Sequence, residues 1–293
     1  IKELSDALSD YISISKKKEV WLLFDNLDKG WPIQAATEAD ILLLRCLLDA
    51  TRKLQHQLQW RGVDFREVVF IRNDIYQHLL LETADRGKDA AVLLAWDDDE
   101  AFKEMIRRRI SQSTNMNRSF EELWSLFFPS HVNGEESFGY ILARTLMRPR
   151  EVISILRRCI GVAVNRGHAR VLEADIIHAE KTHSETALID ITLELRDVSP
   201  EFSDVPYVFI GSRPIFTEPE LKAMLREAGI DESKSSEVTD LLLWFGFIGI
   251  YLRSDEEKYA YQFQYDIKRM KSNVHSFIGY CIHPAFRLAL GIS

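Results

Sequence analysis

The stretch Glu19-Val20-Trp21-Leu22-Leu23-Phe24-Asp25-Asn26-Leu27-Asp28-Lys29-Gly30-Trp31 constrains the fold of this chain more than any other. Residues 20–24 are apolar without alternation and run straight into an acidic turn. That is the pattern of a strand buried on both faces of a parallel sheet. Open α/β sheets bind ligands in the crevice outside the carboxyl ends of their strands. Here that end carries Asp25, with Asp28 three residues on. A carboxylate so placed can hold Mg²⁺ on a nucleotide's phosphates, and a second can polarise an attacking water. A buried strand followed by an Asp-rich turn of no catalytic purpose has the same look, so the stretch needs support from elsewhere. A second apolar run supplies it: Val68-Val69-Phe70-Ile71 leads into Arg72-Asn73-Asp74, again setting polar groups at the end of a strand.

A chain of 293 residues, 46% hydrophobic and 28% charged, has room for two or three domains with their own cores. It contains no apolar run of about 18 residues and no cleavable secretory start, which points to a cytoplasmic protein without a membrane partner. A net charge of −8 argues against a main surface built for nucleic acid. Cys46, Cys159 and Cys281 are far apart in apolar contexts and read as buried thiols of a reducing compartment. Neither the five-residue spacing of His178 and His183 nor the isolated Cys281-Ile282-His283 suits zinc. The tryptophans Trp21, Trp31, Trp96, Trp124 and Trp244 read as core or interface anchors.

In chain order, an amphipathic helix is expected up to residue 18. Thr37-Glu38-Ala39-Asp40 then opens a long helix to about Trp60, which Gly62 ends. After a polar loop and a third apolar run, residues 90–96, Asp97 or Asp98 caps a helix through Ile110. Its last turn would hold Arg107-Arg108-Arg109. Cations there suit the helix dipole; alternatively one is an arginine finger for a neighbouring subunit's nucleotide. Residues 111–118 read as a linker and Ser119-Phe120-Glu121-Glu122 as a capping box. Helices follow over 138–146, from Arg148-Pro149-Arg150-Glu151 to Val164, and over 173–196. The remainder has helices over 217–229 and 235–245, strands over 247–252 and 259–265 joined by a charged turn, and a closing strand and helix over 277–290. That is the order of a winged helix.

With Leu23-Phe24-Asp25-Asn26-Leu27-Asp28, Phe70-Ile71-Arg72-Asn73-Asp74, Arg148-Pro149-Arg150-Glu151 and Ile282-His283-Pro284-Ala285-Phe286-Arg287 in place, nearly the whole chain resembles the C-terminal part of a bacterial P-loop ATPase of the AAA+ and STAND kind. Within that class it looks like an uncharacterised family with some members associated with phage defence. The resemblance implies an α/β fold class: a partial parallel P-loop sheet over residues 1–117, an all-α lid over 118–198 and a winged-helix domain over 199–293. It implies ATP and Mg²⁺ as cofactors. Asp25 would be the Walker B metal ligand, Asp28 the water-polarising residue, Arg72 or Asn73 sensor 1, and Arg150, with Arg148 beside it, the sensor 2 contact to the γ-phosphate. A guanidinium suits that task because it stays charged and forks onto phosphate oxygens. For both arginines the bland alternative is pairing with acidic neighbours at a helix start. Ile282-His283-Pro284 reads as a structural turn rather than as a catalytic histidine.

The chain departs from this pattern in one respect: it contains no G-x-x-x-x-G-K-[ST] phosphate loop. The expectation is a cut chain whose sheet lacks a central strand, an α/β part of marginal stability, and little or no nucleotide binding by these residues alone. The intact protein would be an ATP-driven switch with a protein partner or a second copy of itself. The rival is a non-catalytic winged-helix module. Because the helix over 235–245 carries Glu237 and Asp240, and Lys268, Arg269 and Lys271 are the only nearby cations, nucleic acid is its disfavoured partner.

Overall fold

The computed structural model describes residues 2–14, 19–27, 37–73, 75–76, 79, 91–92, 94–272 and 276–292. It is a mixed α/β structure with small sheets and a helical C-terminal region, and it divides into two compact units, Ile1–Leu93 and Leu94–Ser293.

The first unit runs α1 (Lys2–Ile14), β1 (Glu19–Phe24), α2 (Glu38–Trp60) and β2 (Asp64–Val69). The strands pair in parallel, Glu19 opposite Asp64 through Phe24 opposite Val69; the second strand begins earlier than its apolar run, and of residues 68–71 only Val68 and Val69 belong to it. Helix α2 starts where Thr37 accepts from the Asp40 amide while the Asp40 carboxylate accepts from the Thr37 amide. It ends at Gly62, whose φ of 78° favours a residue without a Cβ.

Two expectations fail in this unit. Residues 20–24 are not buried on both faces: exposure alternates along β1, and Trp21 and Leu23 stand 51% and 59% exposed. The covered face packs Val20 and Leu22 against Ile12 of α1, Leu54 and Leu58 of α2, Val63 and Phe65. On the opposite face Val68 stands beside Leu23, and Arg66, beside Trp21, pairs with Glu19 and Asp64 and lies over the Trp21 ring. Cys46 is also exposed, because it falls off the stripe Ile41, Leu44, Thr51 and Leu58 that α2 buries, whereas Cys159 and Cys281 are buried as expected.

The second unit begins with α3 (Asp99–Thr114), α4 (Phe120–Phe127), the short strands β3 (His131–Val132) and β4 (Glu135–Glu136), α5 (Ser137–Leu142), α6 (Pro149–Asn165) and α7 (Glu173–Val198). Helix α3 runs a full turn beyond Ile110, since Ile106 and Phe102 anchor it and only Asn115, in the left-handed region, stops it. Its last turn therefore holds no cation, and residues 111–114 are helix rather than linker. Helix α5 is shorter than read, ending at Leu142. The core here stacks Trp124 with Phe128 and Phe120, with Phe138 edge-on to Trp124 and Phe120, and the Trp124 indole donates to Ser137 Oγ at 2.8 Å.

The long helix α7 serves two cores: Ile176 and Ala179 pack into this helical one, Ala187, Leu188, Ile191 and Leu195 into the next. That second core holds α8 (Glu218–Glu227), α9 (Ser235–Trp244), α10 (Ile267–Ser272), α11 (Pro284–Arg287) and an antiparallel sheet of β5 (Ile215–Phe216), β6 (Ile248–Leu252), β7 (Glu257–Lys258) and β8 (Phe277–Ile282) in the order β5-β8-β6-β7. The strand expected over 259–265 is a 3-10 turn instead; Ala260 and Tyr259 are buried there and Gln264 and Tyr265 take positive φ. Among the described residues no helix is long and apolar enough to cross a membrane.

Candidate functional site

The sequence-predicted residues fall into two groups, one in each unit. In the first unit the parallel register carries Asp25 and the Phe70-Ile71-Arg72-Asn73 segment to the same end of the strand pair, with the Phe70 amide donating to the Phe24 carbonyl at 2.9 Å. Asp25 is exposed. Its Oδ1 accepts from the Asn26 amide at 2.8 Å, a local turn that Asn26 sustains with a φ of 56°. Oδ2 has no partner among the described residues. The Tyr76 amide donates to the Arg72 carbonyl, so the chain turns helical at once, and Ile75 and Leu79 pack under Ile41 and Leu44. That turn leaves Asn73 Nδ2 buried without a hydrogen-bond partner among the described residues, a costly state for an amide donor unless a ligand oxygen meets it. Asp28 lies outside the described residues. Among those described, no group of three His, Cys, Asp or Glu side chains could hold a metal. One exposed carboxylate with a free oxygen nevertheless fits Mg²⁺, which commonly takes one or two protein carboxylates plus phosphate oxygens.

In the second unit Pro149 starts α6 at its first position, where a missing amide hydrogen costs nothing. The start separates its two flanking arginines. Arg148 grips Glu194 of α7 with two parallel bonds, 2.5 and 3.0 Å, and lies 3.6 Å from Glu151. Burial alone would lower its pKa, but the charge of Glu194 and these bonds hold it above the ordinary arginine value. Its guanidinium is committed to the protein.

Arg150 faces the other way. With Ile153, Ser154, Arg157 and Arg158 it forms one face of α6, and with Arg109 of α3 that face lines a cavity of about 670 Å³. Among the described residues no carboxylate lines it. Arg107 and Arg108, next to Arg109, are both bound to Glu104 at 2.6 Å, whereas Arg109, Arg150 and Arg157 have no ion pair among the described residues. Arg158 donates Nη2 to Thr186 Oγ1 at 3.0 Å and keeps Nε buried and unpartnered. Its charge is felt locally: burial first, and then Arg158, push His183 down to about 4. The cavity is thus a concave, cationic surface suited to an anion with several oxygens.

Arg157 and Arg158 escaped the sequence reading. The signal was present: 150, 153, 154, 157 and 158 recur at helical spacing and so share a face. The approach of Arg109 depends on how α3 packs, which spacing does not encode.

Residues 100–192 match the FunZ-associated C-terminal helical domain, a stretch that includes all four cavity arginines. The whole chain is similar to the transposon gamma-delta 80.3 kDa protein of Escherichia coli (strain K12), 22% identical over 311 residues. Half of it is similar to the allergen Alt a 2 of Alternaria alternata, 21% identical over 152 residues and 80% of that protein. The chain spans 43% of the length of the Escherichia coli relative. No solved structure matches it.

Proposed function

We propose that this chain is the Walker B, sensor and lid part of an ATP-driven molecular switch of the P-loop class, acting in the cytoplasm. The observation that carries the reading is the division of labour at the start of α6: Arg148 is neutralised by Glu194, while Arg150 lines an arginine-rich cavity. In this reading Arg150 is the sensor 2 contact. At the strand ends Asp25 would hold Mg²⁺, and the orphaned Asn73 amide, with Arg72 beside it, would serve as sensor 1. The metal would supply charge to offset that of the phosphates; the chain's own residues would orient the nucleotide and offset charge developing in transfer. A phosphate loop is not among these residues. ATP occupancy would move the C-terminal core, which we read as a winged helix directed at a protein partner or a second copy. Lys271 of α10 pairs with Asp240 of α9, which reduces the positive charge available to DNA. The name of the Escherichia coli relative ties that protein to a transposon; a role for this chain beside a mobile element or in defence is a proposal of the same standing.

The test is ATP turnover by the full-length gene product. Asp25→Ala is expected to lower the rate at least 100-fold and Arg150→Ala about 10- to 100-fold, with folding unchanged, as for loss of charge-stabilising groups. Undiminished turnover by Asp25→Ala would remove the strand-end site from the mechanism.

A further inference from the structure

We propose that the cavity between α3 and α6 is an oligophosphate site in its own right, formed by Arg109, Arg150, Arg157 and Arg158 and able to bind without a phosphate loop. The inference deepens the nucleotide reading and shares Arg150 with it, but it adds three cations that reading does not use.

Like charges on one concave face repel one another; solvent screens part of that repulsion, since Arg109, Arg150 and Arg157 are exposed, and a bound anion would relieve what remains. Arg150 and Arg157 are seven residues apart on one helix, about 10 Å along its axis, so linked phosphoryl groups use the row better than a single small anion. Guanidinium forks match phosphate oxygens, and the Ser154 hydroxyl adds a neutral donor among them. The positive zone is compact. Glu104 neutralises Arg107 and Arg108 on one side, and Glu194 neutralises Arg148 on another. A nucleic-acid backbone would need a longer stripe of cations. Among the described residues no aromatic ring lines the cavity, so a base would have only guanidinium planes to stack on, which do not tell one purine from another. Recognition therefore runs through the phosphate chain, and ATP and GTP should bind about equally. The proposal runs against the expectation that these residues, without a phosphate loop, bind little or no nucleotide.

The experiment is calorimetric titration of the 293-residue chain with inorganic tripolyphosphate, ATP and GTP, in the absence of Mg²⁺, for the parent, Arg109→Ala/Arg157→Ala and Arg157→Lys. Both alanine sites are exposed, and thermal melts check that the fold is kept. Saturable tripolyphosphate binding, weakened at least 10-fold in the double variant and partly kept by Arg157→Lys, upholds the site. ATP binding at least as tightly as tripolyphosphate then marks the nucleotide as the source of the phosphates, and weaker ATP marks a free oligophosphate. Equal binding by parent and double variant, no binding by the parent, or preference for a polynucleotide that tripolyphosphate fails to displace overturns the proposal. If Asp25→Ala leaves turnover of the full-length product intact while the double variant loses tripolyphosphate, the strand-end site leaves the mechanism and the cavity site stands. The reverse pair of results sinks the cavity site alone.

Discussion

At the scale of single residues, two buried histidines tie the second unit's stability to pH. His283 is fully buried at the start of α11, and its Nδ1 accepts from the Ala285 amide at 3.1 Å. The ring proton therefore sits on Nε2, 3.4 Å from the Tyr261 hydroxyl. Burial, then the charges of Arg287, Arg148 and Arg144, hold this histidine down to about 3, and His183 lies at about 4. An unfolded histidine titrates near 6.5, so below that pH the unfolded chain binds protons that the native chain refuses. The contribution is complete above pH 6.5 and is lost as pH falls towards 4 for His183 and 3 for His283. At pH 5 each histidine should cost about 2 kcal/mol, a large share of a net stability of about 5–15 kcal/mol. Thermal melts should fall clearly between pH 7 and pH 5. His283→Asn keeps an acceptor for the cap and should lose roughly half of that pH dependence. A melting temperature unchanged from pH 7 to 5 would refute this account.

At the scale of elements, the C-terminal sheet depends on a close approach that no local pattern announces. A Cβ on Gly279 of β8 would lie 2.4 Å from the Phe216 carbonyl oxygen of β5. Backbone cannot yield as a flexible side chain does, so Gly279→Ala should destabilise the chain by about 1–3 kcal/mol, read as a shifted denaturant midpoint. An unchanged midpoint would mean that β5 moves freely. The contrast with what was legible is instructive. The starts at Thr37, Ser119, Thr217 and Pro149 are written in three or four adjacent residues, because a cap is a contact between near neighbours. That β1 has a parallel neighbour was legible from apolar runs, but the span of β2 was not, since Asp64, Arg66 and Glu67 interrupt its pattern. One-sided burial of β1 was not, because Trp21 and Leu23 have the same composition whether or not something covers them. The candidate site divides likewise: Asp25, Asn73 and Arg150 announce themselves by strand end or helix start, while the company of Arg109 exists only after α3 has packed.

At the scale of the whole chain, the two units differ in what holds them. The first rests on two small apolar clusters, around Leu58 with Phe65 and around Ile41 with Leu79, under a strand pair whose other face leaves Trp21 and Leu23 open. The second has two extensive cores joined by α7, so that opening either one disturbs a helix that the other needs. Local opening free energy follows buried apolar contact, and regions with little of it open first. Limited proteolysis of the 293-residue chain should therefore cut first within residues 1–93. Sequence reading alone puts the start of the resistant piece at Ser119, but Phe102 and Ile106 of α3 are buried in the helical core, so the start should lie near residue 94. Mass spectrometry of the early fragments checks this. A resistant piece beginning near 119 would show that α3 frays from its core and that Arg109 does not stay in the cavity. Equal resistance of both units would show that the strand pair and its two small clusters suffice to hold the first.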